Sequence, residues 1–225
     1  MDDYKHPAQR DRMILEQLIT RGIDDPRVLN AMRHVPRHEF LPQRIREVAY
    51  KDGALPIGKK QTISQPYIVA LMTQLLELDG TEHVLEIGTG SGYQAAILAE
   101  LADSVISIER HPLLAARSGD VLARLGYENV EVYIGDGTQG MPDMAPYDVI
   151  VVTAAAPALP EPLRLQMSPD GGRMVLPIGA QGGQQYLQKI VREGNSWNME
   201  QITGVRFVPL VGSHGFDDGE KPASV

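Results

Sequence analysis

Apolar positions along the chain recur with two periods, and the change from one to the other divides it. Residues 7–21 carry the helical spacing, with Met13, Leu15, Leu18 and Ile19 on one face and Gly22 as the stop. Asp25-Pro26 opens a second helix, Asp25 as N-cap and Pro26 at the first helical position, with Val28, Leu29, Met32 and Val35 as its apolar stripe. Pro36 and Pro42 forbid a long helix in the stretch between them. Residues 51–66 follow neither period and read as a loop longer than ordinary connectors, a length that often carries function. The helical period returns from Tyr67 to about Leu78, through Ile68, Leu71, Met72, Leu75 and Leu76.

From residue 84 onward, strands and helices alternate. Strands are predicted at 84–87, Ser104–Glu109, Val130–Ile134, Tyr147–Val152 and Gly172–Pro177, the Tyr147–Val152 run being apolar enough for a central parallel strand. Leu113–Leu125 is a helix closed by Gly126, and Pro162–Met167 is a short one. Gln185–Arg192 and Gln201–Leu210 form a hairpin across Gly194-Asn195. The pattern is that of an α/β fold: a doubly wound, Rossmann-like sheet, mostly parallel with an antiparallel C-terminal hairpin, preceded by N-terminal helices. We divide it into a helical and loop region over 1–80, an α/β core over 81–215 and a disordered tail over 216–225, all within one compact domain.

Composition narrows the function. The 225 residues are 43% hydrophobic and 22% charged, ordinary for a globular chain, and the net charge of −8 argues against a nucleic-acid or anionic-membrane binder. Cysteine is absent, so no disulfide, thiolate metal site or catalytic thiol exists. The apolar stretch from Val149 to Leu159 is interrupted by Thr153 and Pro157 and is too short to cross a bilayer. The polar start Met1-Asp2-Asp3-Tyr4-Lys5 is no signal peptide, and a cytoplasmic protein is expected. His34 and His38 have a helical metal-pair spacing, but Pro36 breaks that geometry, and no metal is expected.

The candidate chemistry centres on Glu86-Ile87-Gly88-Thr89-Gly90-Ser91-Gly92. A strand, a glycine turn and a helix start cradle a nucleotide, because glycine admits positive φ and the helix presents unpaired N–H groups. The glycines sit at alternate positions, and the third glycine of the dinucleotide fingerprint falls on Tyr93. Glu86 either accepts loop N–H bonds or faces a cationic ligand. S-adenosylmethionine, with ammonium and sulfonium charges, is such a ligand; NAD, with two phosphates, is not. Glu109, at the end of the next strand, lies at the distance along the chain where an acid reaches ribose hydroxyls. Asp136, between Gly135 and Gly137, suits an adenine amino group or a plain turn. Ala154-Ala155-Ala156 leave room for a ligand. Ser64 either caps the following helix or holds a carboxylate at its N-terminus. These residues leave the methyl acceptor open, although an acidic chain with no basic, aromatic-rich patch disfavours RNA.

Glu86–Gly92, Glu109 and Gly135-Asp136-Gly137 resemble the cofactor site of class I methyltransferases. Val35-Pro36-Arg37-His38-Glu39-Phe40-Leu41-Pro42, Thr62-Ile63-Ser64-Gln65-Pro66, Ala154-Ala155-Ala156-Pro157, Gly172–Gly179 and Val205–Leu210 resemble, in the same order, the protein-L-isoaspartate (D-aspartate) O-methyltransferases. The resemblance implies methyl transfer from S-adenosylmethionine to the free α-carboxylate of L-isoaspartyl residues in damaged peptides and proteins, leaving S-adenosylhomocysteine. The ester then closes to a succinimide that reopens in part to normal aspartate. It implies Ser64 as the active-site residue. Glu86, Gly88, Thr89, Gly90, Ser91, Gly92, Glu109, Asp136 and Gly137 are expected around the cofactor. Thr62, Ile63, Ser64, Val208, Pro209 and Leu210 are expected around the peptide. A monomer without nucleic-acid or membrane partners is expected.

Overall fold

The computed structural model describes residues 5–217. The polar N-terminal residues 1–4 and the tail beyond Asp217 lie outside them. Helix α1 (Lys5–Met13) runs into a π-helical turn over Ile14–Leu18, in which the Ile19 N–H reaches back to the Ile14 carbonyl, and a 3₁₀ turn then ends at Gly22 with φ of 86°. The wider turn changes the phase of the apolar stripe. Met13, Ile14 and Leu18 are buried, while Leu15 and Ile19 are 58% and 45% exposed, so the regular face expected from the sequence is displaced by this turn. Helix α2 (Pro26–His34) starts at Asp25, whose carboxylate accepts from the backbone N–H groups of Arg27 and Val28.

Two short strands, β1 (Leu55–Gly58) and β2 (Gln61–Ile63), pair antiparallel where the sequence reads as a plain loop. Short, mixed-polarity strands carry too little periodicity to announce themselves. Helix α3 (Pro66–Leu75) follows immediately.

The main sheet contains β3 (His83–Ile87), β4 (Ser104–Glu109), β5 (Val130–Ile134), β6 (Val149–Val152), β7 (Asp170–Gly179), β8 (Gln185–Glu193) and β9 (Ser196–Val205). The spatial order is β5-β4-β3-β6-β7-β8-β9. Strands β3 to β7 are parallel, and β8 and β9 complete the sheet antiparallel. The chain therefore winds one way from β3 and the other way from β6, which opens a crevice at the carboxyl ends of those two strands. Helices α4 (Tyr93–Ala99) and α5 (Pro112–Arg124) connect strands on one side of this reversal, and α6 (Glu161–Gln166) on the other.

Alternate strand residues feed two cores. Val84, Val105, Val149, Val151 and Val175 pack with α1–α5 and with Ile57 and Ile63 of the hairpin. Leu85, Ile87, Ile106, Ile108, Ile150 and Val152 pack with Leu163 of α6 and with Leu210. The first core joins the N-terminal helices, the hairpin and the sheet in a single cluster.

The C-terminal segment departs from expectation in two places. Residues 206–210 leave the sheet after β9 rather than extending it. Phe216 is folded back, its N–H donating to the Leu210 carbonyl at 2.7 Å.

The displaced phase of the π turn gives a direct test. Ile14→Ala should lower unfolding stability by about 2–5 kcal/mol, and Leu15→Ala by less than about 0.5 kcal/mol. Urea unfolding of the two variants measures this, and equal losses would indicate a regular helix.

Candidate active site

The crevice is closed at its floor by one contact between its two edges. Gly88 leaves β3 with φ of 97°, and a Cβ there would lie 2.5 Å from Thr153 Oγ1, so only glycine fits. The Thr153 hydroxyl, just past β6, donates to the Gly88 carbonyl at 2.6 Å. The Gly88 N–H in turn donates to the Ile108 carbonyl at the end of β4. Glu109 turns toward the same loop. Its Oε2 accepts from the Gly90 N–H at 2.9 Å and its Oε1 from the His111 N–H at 2.8 Å. Each oxygen keeps a second lone pair, which is what a vicinal diol needs. Ser91 Oγ accepts from the Tyr93 N–H as α4 begins, and Gly92 is buried beneath that turn.

Glu86 lies below this loop rather than in it. It is fully buried at the centre of the sheet, its neighbours in register being Ser107 and Val151. Ser107 Oγ donates to its Oε2, and Thr89 Oγ1 lies 2.5 Å from the Ser107 hydroxyl, forming a chain up into the glycine loop. Glu86 Oε1 has no partner. Burial, with the charge of Glu109 adding to it and the Ser107 bond opposing, pushes the Glu86 carboxyl up to about 8. Of the two expected readings, neither loop N–H groups nor open ligand space meets Glu86: it supports Thr89 from behind, with its neutral form favoured, because a central parallel strand leaves no solvent at that register.

Asp136 is also directed inward. Its Oδ1 accepts from the Thr138 N–H and hydroxyl, and its Oδ2 from the Ser213 N–H and hydroxyl, both at 2.8 Å. Burial opposes ionisation, but these four bonds outweigh it and hold the carboxyl well below the usual carboxylate range. Of the two readings, adenine ligand or plain turn, its bonds to Thr138 fit the turn, with Ser213 of the C-terminal segment as the other partner. Gly212 passes so close that a Cβ would collide with Asp136 Oδ1. Gly137 is buried against Ile87. The ligand room expected at the alanines is corrected. The Ala155 N–H donates to the Val208 carbonyl, and the Leu210 N–H donates to the Ala155 carbonyl at 2.7 Å. Residues 208–210 cross Ala155, and Ala156 pairs with residues 177–179 of β7, so both alanines are fully buried and no ligand space remains there.

Ser64 lies between the hairpin and α3. The helix is capped from Gln65, without a side-chain cap bond, so the Ser64 hydroxyl does not serve as an N-cap. Its carbonyl accepts from Arg37 Nη2 at 2.7 Å. A cleft of about 570 Å³ runs past Thr62, Ser64, Gln65, Thr153, Phe207 and Val208. A gap of about 40 Å³ separates Thr62–Ser64 from the Gly88–Ser91 loop. Thr62, Ser64 and Thr153 line both spaces, so the two halves of the site meet at these three residues. Ile63 is buried under the hairpin, Pro209 pairs with Ala155, and Leu210 is in the core; these three shape the wall without lining the cleft.

Three residues that shape the site carry little mark in the sequence. Thr153 stands there only as a break in an apolar run. Gln185 holds both the N–H and the carbonyl of Phe207 with its side-chain amide, fixing one wall of the cleft. Arg37 is fully buried. A polar residue ending a fully apolar strand is the one available signal, and it applies to Thr153.

A family model described as protein-L-isoaspartate(D-aspartate) O-methyltransferase matches residues 9–215. The chain belongs to that methyltransferase family. The match takes in the N-terminal helices, the hairpin before Ser64 and most of the segment clamped by Asp136. Protein-L-isoaspartate O-methyltransferase 1 of Syntrophobacter fumaroxidans is 56% identical over 209 residues, covering 92% of this chain and 96% of that one. The Methanoculleus marisnigri protein-L-isoaspartate O-methyltransferase is 52% identical over 214 residues, covering 95% and 96%. A solved protein-L-isoaspartate O-methyltransferase superposes with a TM-score of 0.82 at 30% identity, over 92% of this chain and 67% of that one. A Plasmodium falciparum chain assigned to the same methyltransferase activity, solved with S-adenosyl-L-homocysteine, gives 0.77 at 26% identity, over 92% and 98%.

The neutral state of Glu86 has a pH signature. Between about pH 5 and pH 8 the folded methyltransferase keeps a proton that its unfolded chain releases. The residue's contribution to stability therefore declines by up to about 1.4 kcal/mol per pH unit across that window. Glu86→Gln has no proton to lose, so its melting temperature minus that of wild type should rise from pH 5 to pH 8 and level off above. A difference independent of pH would mean that Glu86 is ionised throughout.

Proposed function

We propose that this chain is a protein-repair methyltransferase, transferring a methyl group from S-adenosylmethionine to the free α-carboxylate of L-isoaspartyl residues and releasing S-adenosylhomocysteine. Besides family membership, the observation that carries the reading is the shared lining of the glycine-loop gap and the cleft by Thr62, Ser64 and Thr153. A donor bound on one side and an acceptor on the other come together there.

The residues fit this cofactor. The turn through Gly88 and Gly90, both at positive φ, lines the gap with backbone, and Glu109 has lone pairs for the ribose hydroxyls. Bound there, the cofactor supplies a methyl group on a sulfonium centre. Gly88, Thr89, Gly90, Ser91 and Gly92 form its cradle, while Glu86, Asp136 and Gly137 hold that cradle and the strand ends in place.

The acceptor needs no general base, since a carboxylate with a pKa near 4 is ionised at pH 7. The protein's task is alignment and exclusion of water. The Ser64 hydroxyl orients the carboxylate by hydrogen bonding and forms no covalent intermediate. Thr62 and Val208 flank the peptide, and Ile63, Pro209 and Leu210 fix their backbone. An extended peptide held mostly by backbone admits many sequences, as repair of assorted damaged proteins requires. Both pockets are built within one chain, which supports a monomer. A surface of net charge −8 favours protein clients over nucleic acid, and the lack of cysteine suits the cytoplasm. No helix among the described residues is long and apolar enough to cross a membrane.

Transfer of label from methyl-labelled cofactor to an isoaspartyl peptide, but not to its aspartyl twin, is the expected result. Equal labelling of the two, or none, overturns the repair reading. In the same assay Ser64→Ala should lower turnover about tenfold or more, the loss of one hydrogen bond to a charged group, with cofactor affinity unchanged. Undiminished turnover removes Ser64 from the acceptor site.

A further inference from the structure

The acceptor is an anion, yet Thr62, Ser64 and Thr153, where cleft and gap meet, carry no charge; of the cleft's own arginines, Arg21 is paired with Asp52 and Arg206 is exposed to solvent. Behind Ser64 lies a cation without an acid. Arg37 occupies a 3₁₀ turn between Pro36 and Pro42 and is fully buried. Its Nε donates to the Ala49 carbonyl at 2.8 Å and its Nη2 to the Ser64 carbonyl at 2.7 Å. The guanidinium lies over the Tyr93 ring, 4.9 Å from its centroid, and Nη1 is buried without a partner. Acids of adjoining segments are committed elsewhere: Glu39 pairs with Arg46 and Arg124, and Asp52 with Arg21 and Gln65. Among the described residues no carboxylate pairs with Arg37.

We propose that Arg37 is a positioning residue that fixes the Ser64 backbone against the donor helix and supplies the positive charge by which the site selects an acceptor carboxylate. This rests on the reading that the acceptor binds at Ser64. A buried charge with only neutral partners is costly to keep, so an arginine there requires a compensating role. One side chain touches both halves of the site, Ser64 on the acceptor side and Tyr93, the first residue of α4, on the donor side. Because a trans peptide turns its N–H opposite its carbonyl, holding the Ser64 carbonyl on Arg37 fixes the direction of the Gln65 N–H as well. A cation bonded to that carbonyl also strengthens the N–H as a donor. Burial lowers the guanidinium pKa, with the Tyr93 and Tyr50 hydroxyls opposing, but only to about 10, so the charge is present at neutral pH.

The test uses the full chain saturated with S-adenosylhomocysteine, so that no transfer occurs, and two peptides that differ at one group. One carries the L-isoaspartyl α-carboxylate, the other the α-carboxamide. Calorimetry should find the carboxylate peptide roughly tenfold tighter on wild type. In Arg37→Met the carboxylate peptide should weaken roughly tenfold more than the carboxamide peptide, while S-adenosylhomocysteine stays within about twofold. Arg37→Lys, which keeps the charge and loses the fork, should fall between. Parallel weakening of both peptides, or a carboxylate preference that survives Arg37→Met, overturns the proposal. Should Arg37→Met not fold, Arg37→Lys decides: a loss confined to the carboxylate peptide supports the assignment, and an equal loss or none overturns it. If wild type shows no preference and Ser64→Ala binds both peptides as wild type does, the placement of the acceptor at Ser64 fails, and this assignment with it.

Discussion

The hydroxyl of Thr153 on the carbonyl of Gly88 spans the line where the sheet reverses its winding. Strands β3 and β6 are neighbours whose onward connections leave in opposite directions, so their carboxyl ends cannot be covered by one crossover helix. The gap is a consequence of topology, and its floor is set by the bonds from Thr153 to the Ile87 and Gly88 carbonyls together with the missing Cβ of Gly88. Everything else in the site is placed relative to it: Glu109 on the far side of the glycine loop, the Ser64 hairpin over its mouth, and the 208–210 segment against the alanines beyond Thr153.

Buried polar groups do most of the positioning around that floor. Glu86 reaches the glycine loop through two hydroxyls, Asp136 holds Ser213 of the C-terminal segment with two hydrogen bonds and its own turn at Thr138 with two more, and Arg37 holds the substrate loop from inside. A half-satisfied polar group in a core is costly, which makes such groups informative about what the site must keep in register. Glu86 and Arg37 each retain one unpaired atom, and both support a residue lining the donor gap.

The fold was legible because burial on both faces of a parallel sheet leaves long apolar runs, and these mark β3, β4 and β6 without ambiguity. The glycine spacing and Glu109 were legible for a similar reason, since backbone conformation and a strand-end acid are local properties. Long-range partnership was not. Asp136 reads as either a ligand acid or a turn, and the sequence does not show that Ser213, far along the chain, shares it with Thr138. Ala155 reads as open space because the segment that covers it comes from residues 208–210. The π turn escaped because a single widened turn shifts the apolar stripe without altering its composition. Ser64 is ambiguous between cap and ligand in the sequence because only the backbone decides that Gln65, one residue later, holds the cap position.

The central claim is that donor and acceptor meet across the wall formed by Thr62, Ser64 and Thr153. The measurement that addresses it most directly is a crystal structure with S-adenosylhomocysteine and an isoaspartyl peptide bound together. The sulfur should lie on the glycine-loop side and the peptide carboxylate in the cleft beside Ser64, facing each other through that opening. A peptide seated elsewhere, such as the cleft of about 530 Å³ between Phe40–Arg46 and α5, would contradict it.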